Sequence, residues 1–259
     1  MKDTQAIIER VRRINADVQH LELAVDDSLT KIKPGQSLLV RVAPFNPNFA
    51  DEIWHPYLRE QWYPVNMVNN KLLIERPTEI RYEPGQIVNA MGLIGQPIRF
   101  RKSARTVLLI AYNTPPTALL MTIPWLLGNK IAVTLVLLGS ATDYGTQHLP
   151  PEIEVIRGSA GTQEETLVWP NQVLTAGWAD QVLVVVSKDD ELLRFGELMA
   201  RLKELRNDVP PNYIFGVFQP WLPCGVGACA ACLLRVGDEL QAACSKGPSF
   251  DLTTVQLPK

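Results

Sequence analysis

Residues 221–252, WLPCGVGACAACLLRVGDELQAACSKGPSFDL, contain all four cysteines of the 259-residue chain. Cys224, Cys229, Cys232 and Cys244 follow the spacing C-x4-C-x2-C-x11-C. The first three match the cysteine loop of plant-type 2Fe-2S proteins. Gly225 and Gly227 allow the sharp turns that aim backbone N–H groups at sulfur. The pattern therefore predicts a 2Fe-2S cluster bound by these four thiolates.

A four-thiolate zinc site is the alternative, since it would also be closed and would also hold a short segment together. Zinc ribbons usually present two C-x2-C knuckles, whereas only Cys229 and Cys232 have that spacing here. The spacing favours iron–sulfur over zinc, and buried free thiols are the third reading. The segment is too small to fold on a hydrophobic core of its own, so a metal centre would supply its stability. Phe218, Trp221 and Leu222 precede the first cysteine and are expected to shield the cluster from water.

The composition is that of an ordinary globular protein, with 46% hydrophobic residues, 20% charged residues and a net charge of −2. These values exclude a basic arm or an acidic tail, so we expect no nucleic-acid partner. The N-terminal stretch MKDTQAIIERVRRINADVQ carries charges where a secretion signal needs an unbroken apolar run. We therefore expect a cytoplasmic protein, and in a reducing compartment grouped cysteines are metal ligands or redox groups rather than disulfides.

Residues 106–129 contain no charged side chain and are long enough to cross a bilayer. Asn113, Pro115, Pro116 and Pro124 interrupt this run, and the strand-like IAVTLVLL follows it. Such a division is typical of strand, helix and strand in a buried parallel sheet. No transmembrane segment is predicted.

The pattern of the chain changes twice, which predicts three parts. Residues 1–102 read as short alternating strands with Pro-Gly-Gln turns at 34–36 and 84–86, which favours an antiparallel β-barrel. Residues 103–218 alternate apolar strands with helix-capable stretches, which favours a parallel α/β domain. Within that domain, residues 191–205 have the apolar spacing of a helix with one buried face. Residues 219–259 form the cluster-binding segment.

This order of barrel, α/β domain and four-cysteine segment resembles the electron-transfer subunit of dihydroorotate dehydrogenase, a branch of the ferredoxin reductase superfamily. The most specific part is CGVGACAAC at 224–232 with CSKGPSF at 244–250, which is similar to the family's C-G-x-G-x-C-x-x-C and C-x-D-G-P-x-F. Lys246 replaces the usual acid. The resemblance covers nearly the whole chain. It implies an FAD-binding-type barrel and electrons passing among a nicotinamide nucleotide, FAD, the 2Fe-2S cluster and the FMN of a separate catalytic subunit.

The flavin motif implied by the resemblance is degenerate. The family places arginines in an R-R-P-I-S-I or R-x-Y-S phrase, and the matching stretch here is WYPVNM at 62–67. Trp62 and Tyr63 stand at the arginine positions, which removes the bidentate donor for a diphosphate. Arg59 lies just upstream as a possible substitute. The family's later G-x-G-T phrase is also absent between residues 72 and 85. We therefore expect FAD binding to be absent or weak.

The nicotinamide motifs are degenerate as well. The family's G-G-G-x-G-x-A-P turn reads AYNTPPTA at 111–118. Pro115 and Pro116 have no N–H to offer a phosphate, and Tyr112 fills space that a dinucleotide needs. The two prolines are better explained as the start of a helix. The family's C-G-P phrase is Ser187-Lys188-Asp189 here, so NAD binding is not expected.

The prediction is an iron–sulfur electron-transfer subunit of a multi-subunit oxidoreductase, not catalytic on its own, with a redox partner that could be a flavin-containing catalytic subunit. Two alternatives stay open: a complete FAD- and NAD-dependent reductase subunit of dihydroorotate dehydrogenase, and a zinc-stabilised docking subunit without a redox role. No catalytic residue is predicted. His20, His55 and His148 are scattered without a nucleophile or carboxylate pattern and are read as surface or core histidines. The aromatic loop at 45–63 is expected to fill the vacated flavin cleft, and covering a partner is the alternative.

Overall fold

Seven antiparallel strands form the first sheet of the computed structural model, which describes residues 2–42, 59–158, 167–206 and 208–258. The strands are β1 (Lys2–Arg13), β2 (Val18–Ala24), β3 (Ser37–Val42), β4 (Glu60–Trp62), β5 (Pro64–Val68), β6 (Lys71–Pro77) and β7 (Ile87–Ile94). Their order is β4-β3-β7-β1-β2-β6-β5. The two edge strands, β4 and β5, are separated in the chain only by Tyr63. The sheet therefore curls into a half-barrel, which confirms the predicted barrel-type architecture.

Two Pro-Gly turns lead into barrel strands, as the sequence predicts. Gly35 and Gly85 have φ values of 89° and 86°, the conformation of the third residue of a type II turn. The Gln36 N–H donates to the Lys33 carbonyl oxygen at 3.0 Å and closes the first turn. A Cβ at Gly35 would lie 2.5 Å from Ile98 Cγ1, so this position needs glycine for its space as well as for its φ angle.

Six strands form the second sheet. They are β8 (Thr106–Tyr112), β9 (Ala132–Leu138), β10 (Glu154–Arg157), β11 (Gln181–Val186), β12 (Ile214–Val217) and β15 (Ser249–Asp251), in the order β10-β9-β8-β11-β12-β15. All neighbours are parallel except β12 and β15. The strand order reverses between β8 and β11, the place where parallel sheets commonly bind ligands. A separate hairpin joins β13 (Leu233–Val236) to β14 (Glu239–Ala242).

The helices cover the α/β sheet. They are α1 (Thr117–Leu120), α2 (Thr122–Gly128), α3 (Gln172–Trp178), α4 (Glu191–Leu205) and α5 (Ala243–Lys246), with a 3-10 helix at Gly139–Asp143. The apolar run of 106–129 thus divides into a strand and two short helices. Helix α4 spans the predicted residues and buries Phe195, Leu198, Met199 and Leu202. Within the described ranges, no helix combines the length and apolar composition needed to cross a membrane.

Apolar side chains fill both faces of the α/β sheet. On β8, Leu108 and Ile110 pack into one core, whereas Val107 and Leu109 pack into the opposite one. Burial on both faces explains why these strands read as continuous apolar runs in the sequence. A third core lies inside the barrel, around residues such as Leu21. The fold class predicted from the sequence is confirmed.

The C-terminal segment is hydrogen-bonded to the α/β sheet through β15. Phe215, Gly216 and Val217 of β12 pair with residues 249–251 of that strand. The proposed division at 102, 218 and 259 stays a prediction, because strand pairing does not by itself delimit a folding unit. Residues 43–58 lie outside the described residues, and so do His55 and most of the aromatic loop predicted to fill the cleft.

Candidate metal centre

The C-terminal segment carries the cysteines to the barrel sheet. Three lie on the loop between β12 and β13 and the fourth lies in α5: Cys224, Cys229, Cys232 and Cys244. The loop turns at Gly225 and Gly227, with φ values of 65° and 77°. A Cβ at Gly225 would lie 2.7 Å from Leu39 Cδ1. Glycine at this position therefore lets the loop lie directly against the barrel strand β3.

The four thiols are arranged as two pairs. Cys229 acts on the pKa of Cys224, and Cys232 acts on the pKa of Cys244, so the two members of each pair are near each other. The charge of Cys224 also contributes, as the smallest of the causes, to the raised pKa of Cys244. In the part of the chain that the structure describes, no three of the cysteines bring their Sγ atoms within 4.8 Å of one another. The structure thus brings the four predicted cysteines together as two pairs.

Backbone N–H groups of the loop point at the outer pair. The Val226 N–H donates to Cys224 Sγ at 3.5 Å. This contact and those from Cys229 lower the pKa of the Cys224 thiol to about 6. A thiolate is the form that binds metal, so the loop is prepared to present Cys224 as a ligand near neutral pH.

The inner pair lies in an apolar environment. Cys232 and Cys244 are each 3% exposed. Burial and the neighbouring Cys232 raise the pKa of Cys244 to about 12, against the N–H of Gly227, which acts in the opposite direction. A buried thiol of this kind ionises when a metal cation compensates the charge.

Aromatic and aliphatic side chains pack beneath the inner pair. Phe218, Leu222 and Phe250 belong to the same buried cluster as Cys232 and Cys244. Phe218 and Leu222 therefore shield this region as expected. Trp221 does not, because its side chain is 75% exposed. The tryptophan lies on the outer surface beside the cysteine loop.

The barrel holds the segment around Cys244 through the residues that follow β7. The Gly95 N–H donates to the Cys244 carbonyl oxygen at 3.0 Å, and the Gln96 N–H donates to the Gly247 carbonyl oxygen at 2.5 Å. The Gln96 side-chain amide donates to the Ser245 carbonyl oxygen at 2.9 Å. Three hydrogen bonds from two barrel residues thus position the fourth cysteine.

Trp62 and Tyr63, at the expected flavin-binding positions, are both buried. The Trp62 ring lies edge-on to Tyr82 with centroids 5.8 Å apart, and Arg76 lies over it at 4.8 Å. Trp62 Nε1 donates to Glu60 at 2.9 Å. Trp62 is therefore part of the barrel core and is not available to a ligand.

Arg59, the suggested substitute donor, immediately precedes the short strand β4. Its Nη2 donates to Asp3 Oδ2 at 2.8 Å, and its side chain is 19% exposed. This ion pair, assisted by Asn89, lowers the pKa of Asp3 although burial acts in the opposite direction. Arg59 thus has an internal partner on β1.

The turn after β8 is filled by protein atoms. Asn113 has a φ of 55°, and its Oδ1 accepts a hydrogen bond from the Ser140 N–H at 3.1 Å. A Cβ at Gly139 would lie 1.9 Å from that oxygen. Pro116 caps α1, as the sequence predicts. The amides that would cradle a phosphate in related folds are replaced by this contact between two loops.

A cavity of about 410 Å³ remains between the barrel and the α/β sheet. Its walls include Tyr63, Arg76, Thr114 and Lys188. Burial lowers the pKa of Lys188. The cavity lies near the reversal of strand order, so it occupies the place where a ligand of this fold would lie.

Sequence reasoning missed one cluster beside this cavity. Glu75 is buried between His20 of the barrel and His148 of the α/β domain, with Nε2 of each histidine 3.5 Å from Glu75 Oε2. Burial by itself would raise the pKa of Glu75, but contacts from the two histidines, Thr117 and Tyr144 lower it to about 2. The residues are far apart in the chain, so no local pattern identifies them.

The cysteine segment matches a known protein family. Residues 220–256 match the family described as "Iron-sulfur cluster binding domain of dihydroorotate dehydrogenase B". The match includes all four cysteines and begins one residue before Trp221. No curated protein matches the chain.

Solved structures match over most of the chain. The structure of an NADH-dependent reduced ferredoxin-NADP oxidoreductase has a TM-score of 0.70 and 17% identity, covering 97% of this chain and 89% of that one. The ferredoxin reductase in carbazole 1,9a-dioxygenase has a TM-score of 0.57 and 13% identity, covering 82% and 68%. Phthalate dioxygenase reductase has a TM-score of 0.54 and 13% identity, covering 84% and 67%. At these identities the likeness concerns the fold.

The fold and the cysteine segment together define a ferredoxin reductase-like protein with a C-terminal iron–sulfur domain. Residues 220–256 are similar to the iron–sulfur cluster binding domain of dihydroorotate dehydrogenase B. The chain thus combines a ferredoxin reductase-like fold with a C-terminal segment that matches an iron–sulfur cluster binding domain, as the sequence predicts.

Proposed function

We propose that this chain relays single electrons through a 2Fe-2S cluster bound by Cys224, Cys229, Cys232 and Cys244, between redox partners in a multi-subunit oxidoreductase. The arrangement of the thiols in two pairs carries the proposal. When bound, such a cluster accepts and returns one electron at a time. The relay needs no acid or base group, which agrees with a cysteine loop that presents only sulfur, backbone N–H groups and apolar side chains.

Pairing of the thiols supports a centre with two metal atoms rather than one. A single zinc ion with four Zn–S bonds of about 2.3 Å would hold all its sulfurs about 3.8 Å apart. Among the described residues, no three cysteine sulfurs lie within 4.8 Å of one another. We assign Cys224 and Cys229 to one iron and Cys232 and Cys244 to the other.

The protein contributes burial, hydrogen bonds and access. Phe218 and Phe250 exclude water from the inner pair. The N–H groups of Val226 and Gly227 point at sulfur, and such hydrogen bonds tune the reduction potential. Cys229 is exposed, so one edge of the centre reaches the surface.

A partner would dock beside this exposed edge, because electron transfer weakens steeply with distance. The neighbouring surface carries exposed apolar side chains: Trp221, Val226, Leu233 and Leu240. Apolar residues exposed together commonly mark protein interfaces. By analogy with the family, the partner would be a subunit that carries its own flavin.

We propose that this chain holds no tight FAD or NAD(P)H of its own. Trp62 is built into the barrel core, Arg59 is paired with Asp3, and Asn113 fills the turn after β8. A diphosphate would then lack the arginine and backbone donors that replace its lost water. The 410 Å³ cavity, with Arg76 and Lys188 in its wall, favours the complete reductase as the second candidate.

Chemical analysis of anaerobically purified protein tests the proposal. We expect a brown protein with about two irons and two sulfides per chain, and a spectrum that bleaches on one-electron reduction. Stoichiometric zinc without acid-labile sulfide would contradict the relay and favour the docking-subunit alternative. One tightly bound FAD per chain would favour the complete reductase.

The sequence proposes three parts, at 1–102, 103–218 and 219–259. We expect their stability to depend on bound metal to different degrees. The first two have cores of their own. The third depends on the cluster and on its hydrogen bonds to Gly95 and Gln96. Limited proteolysis before and after removal of iron checks this division, since only the third part should become sensitive.

A further inference from the structure

We propose that His20, Glu75 and His148 form a second metal site, for a divalent transition ion such as zinc, between the barrel and the α/β domain. Their ligand atoms all lie within 4.8 Å of one another, and this is the only such group of three among the described residues. The site shares no residue with the cysteine centre, so it stands or fails independently of the electron-transfer proposal.

Strand register places the first two ligands. His20 on β2 lies directly opposite Glu75 on β6 in the antiparallel pair. Opposite residues of a pair project from the same face of a sheet. The third ligand, His148, follows the 3-10 helix of the α/β domain. The side chains of the three residues are 10%, 4% and 12% exposed, respectively.

The distances suit a small cation. His20 Nε2 and His148 Nε2 each lie 3.5 Å from Glu75 Oε2. Two ligands of a tetrahedral zinc ion, with bonds of about 2.0–2.2 Å, lie about 3.4 Å apart. An ion could therefore bind both nitrogens and the carboxylate oxygen without a large movement of any of them.

The environment of His20 Nε2 supports a bound metal ion. His20 Nε2 is buried and makes no hydrogen bond of good geometry, although it lies 3.5 Å from Glu75 Oε2. Buried polar atoms in folded proteins almost always have a partner. A metal ion would supply one, and histidine nitrogens with a carboxylate oxygen are typical ligands of zinc and iron(II).

Neighbouring hydroxyl groups orient the carboxylate. Thr117 Oγ1 donates to Glu75 Oε1, and the Tyr144 hydroxyl donates to Glu75 Oε2, both at 2.5 Å. The Tyr144 oxygen also lies 3.0 Å from His148 Nε2. Hydrogen-bonded neighbours of this kind fix ligand geometry in metal sites. The Tyr144 hydroxyl, which contacts both Glu75 and His148, is also a candidate oxygen donor for a fourth position.

The ion would join the two domains. His20 and Glu75 belong to the barrel, whereas His148, Thr117 and Tyr144 belong to the α/β domain. Glu75, Thr117 and Tyr144 also line the cavity of about 410 Å³ between them. A bound ion would therefore fix the width of this cavity and hold the barrel against the α/β sheet.

Zinc X-ray absorption on the full-length protein with its iron centre intact tests the site. After addition of one equivalent of ZnCl2 and removal of unbound ion, we expect about one zinc per chain with nitrogen and oxygen ligands at about 2.0–2.1 Å. Zinc held by cysteines would instead show sulfur at about 2.3 Å. A sulfur shell alone, or no retained zinc, would overturn the proposal and leave a metal-free hydrogen-bonded cluster.

Two ligand variants and one matched control complete the test. His148→Gln and His20→Gln should each weaken zinc binding at least about tenfold, while the iron content and visible spectrum stay unchanged as evidence of folding. Asp143→Asn changes a residue of the same cavity wall that lies outside the group of three ligands, and should still bind one zinc with nitrogen and oxygen ligands. Equal zinc affinity in the wild type and both histidine variants would contradict the assignment.

Discussion

The N–H of Gly95, one residue beyond β7, donates to the carbonyl oxygen of Cys244 at 3.0 Å. This bond joins the barrel to the last cysteine of the chain. Gly95 has a φ of 82°, and a Cβ at this position would lie 2.9 Å from both the Gly247 carbonyl oxygen and Pro248 Cδ. The barrel and the cysteine segment therefore meet through a contact that only glycine permits.

Replacing Gly95 with alanine should displace the Cys244 segment. We expect a loss of about 1–3 kcal/mol in the free energy of unfolding, with faster loss of iron to a chelator. Gly85→Ala is the matched control, because Gly85 has a φ of 86° but no atom within 4 Å of an added Cβ. If both variants release iron at the same rate, the contact with Gly247 has no role in holding the cluster.

The two cysteine pairs should respond differently to serine. Both Cys229→Ser and Cys232→Ser should abolish the normal visible spectrum. Cys232→Ser should also destabilise the segment, because a buried hydroxyl without a partner costs about 1–3 kcal/mol, whereas Cys229 is exposed. Limited proteolysis measures the difference. Ser245→Ala, next to Cys244, is the control and should keep the visible spectrum. If this variant also loses the spectrum, the effect of the cysteine variants is not specific to the cysteines.

Glu191 should make stability depend on pH. Burial raises the pKa of Glu191 to about 7, against contacts with the Gln219 N–H and Lys188. Between the ordinary pKa of 4.5 and about 7, the folded state binds more protons than the unfolded state. The free energy of unfolding therefore falls as pH rises through this window, by about 3 kcal/mol at most.

Glu191→Gln tests this dependence, because the amide oxygen can still accept the Gln219 N–H, which bonds Glu191 Oε1 at 2.6 Å. The variant should be more stable than the wild type at pH 8, and the difference should shrink towards pH 4.5. Denaturant unfolding at several pH values measures both. A constant difference across the range would place the ionisation elsewhere.

FAD and NADH should bind weakly if at all. Calorimetric titration of the purified chain is expected to give dissociation constants above about 1 μM, since the positions of the flavin arginines are occupied by the buried Trp62 and Tyr63. Arg76→Ala, in the cavity wall, provides a comparison for any residual binding. Nanomolar FAD binding that is lost in this variant would show that the cavity is a flavin site after all.

Trp221 should contribute to docking of the partner. Its side chain is 75% exposed beside the cysteine loop, and exposed tryptophans often dominate interface energetics. Trp221→Ala should reduce co-purification with the native redox partner at least about tenfold and leave the visible spectrum unchanged. Trp178→Ala, at the exposed end of α3, is the control. Equal losses for the two variants would contradict a specific contact.

Local patterns predicted those features that depend on neighbouring residues in the chain. Helix α4 spans the predicted 191–205, and the turns at Gly35 and Gly85 follow from the Pro-Gly pairs. The cysteine loop was predictable because three of its members lie within nine residues. In each case the physical cause acts over a short stretch of chain. The causes are a helical period, a turn conformation and a metal-binding loop.

Features that depend on distant pairings could not be predicted in this way. The contact of His20 with Glu75 follows from the register of β2 and β6, and His148 comes from another domain. The exposure of Trp221 likewise depends on how the segment lies against the barrel, and the apolar character of the residue gave the opposite expectation. A single amino-acid sequence does not show which distant residues will pair in the folded protein.

Strand β15 protects the edge of the α/β sheet, and this protection matters most before the protein binds metal. Its antiparallel pairing with residues 215–217 covers the outer edge of β12. An uncovered edge offers a row of free N–H and C=O groups to any other chain with an extended segment. Release of the C-terminal segment in iron-starved cells would therefore open the α/β sheet to intermolecular pairing, so that the supply of iron would also decide how much of the protein stays out of aggregates.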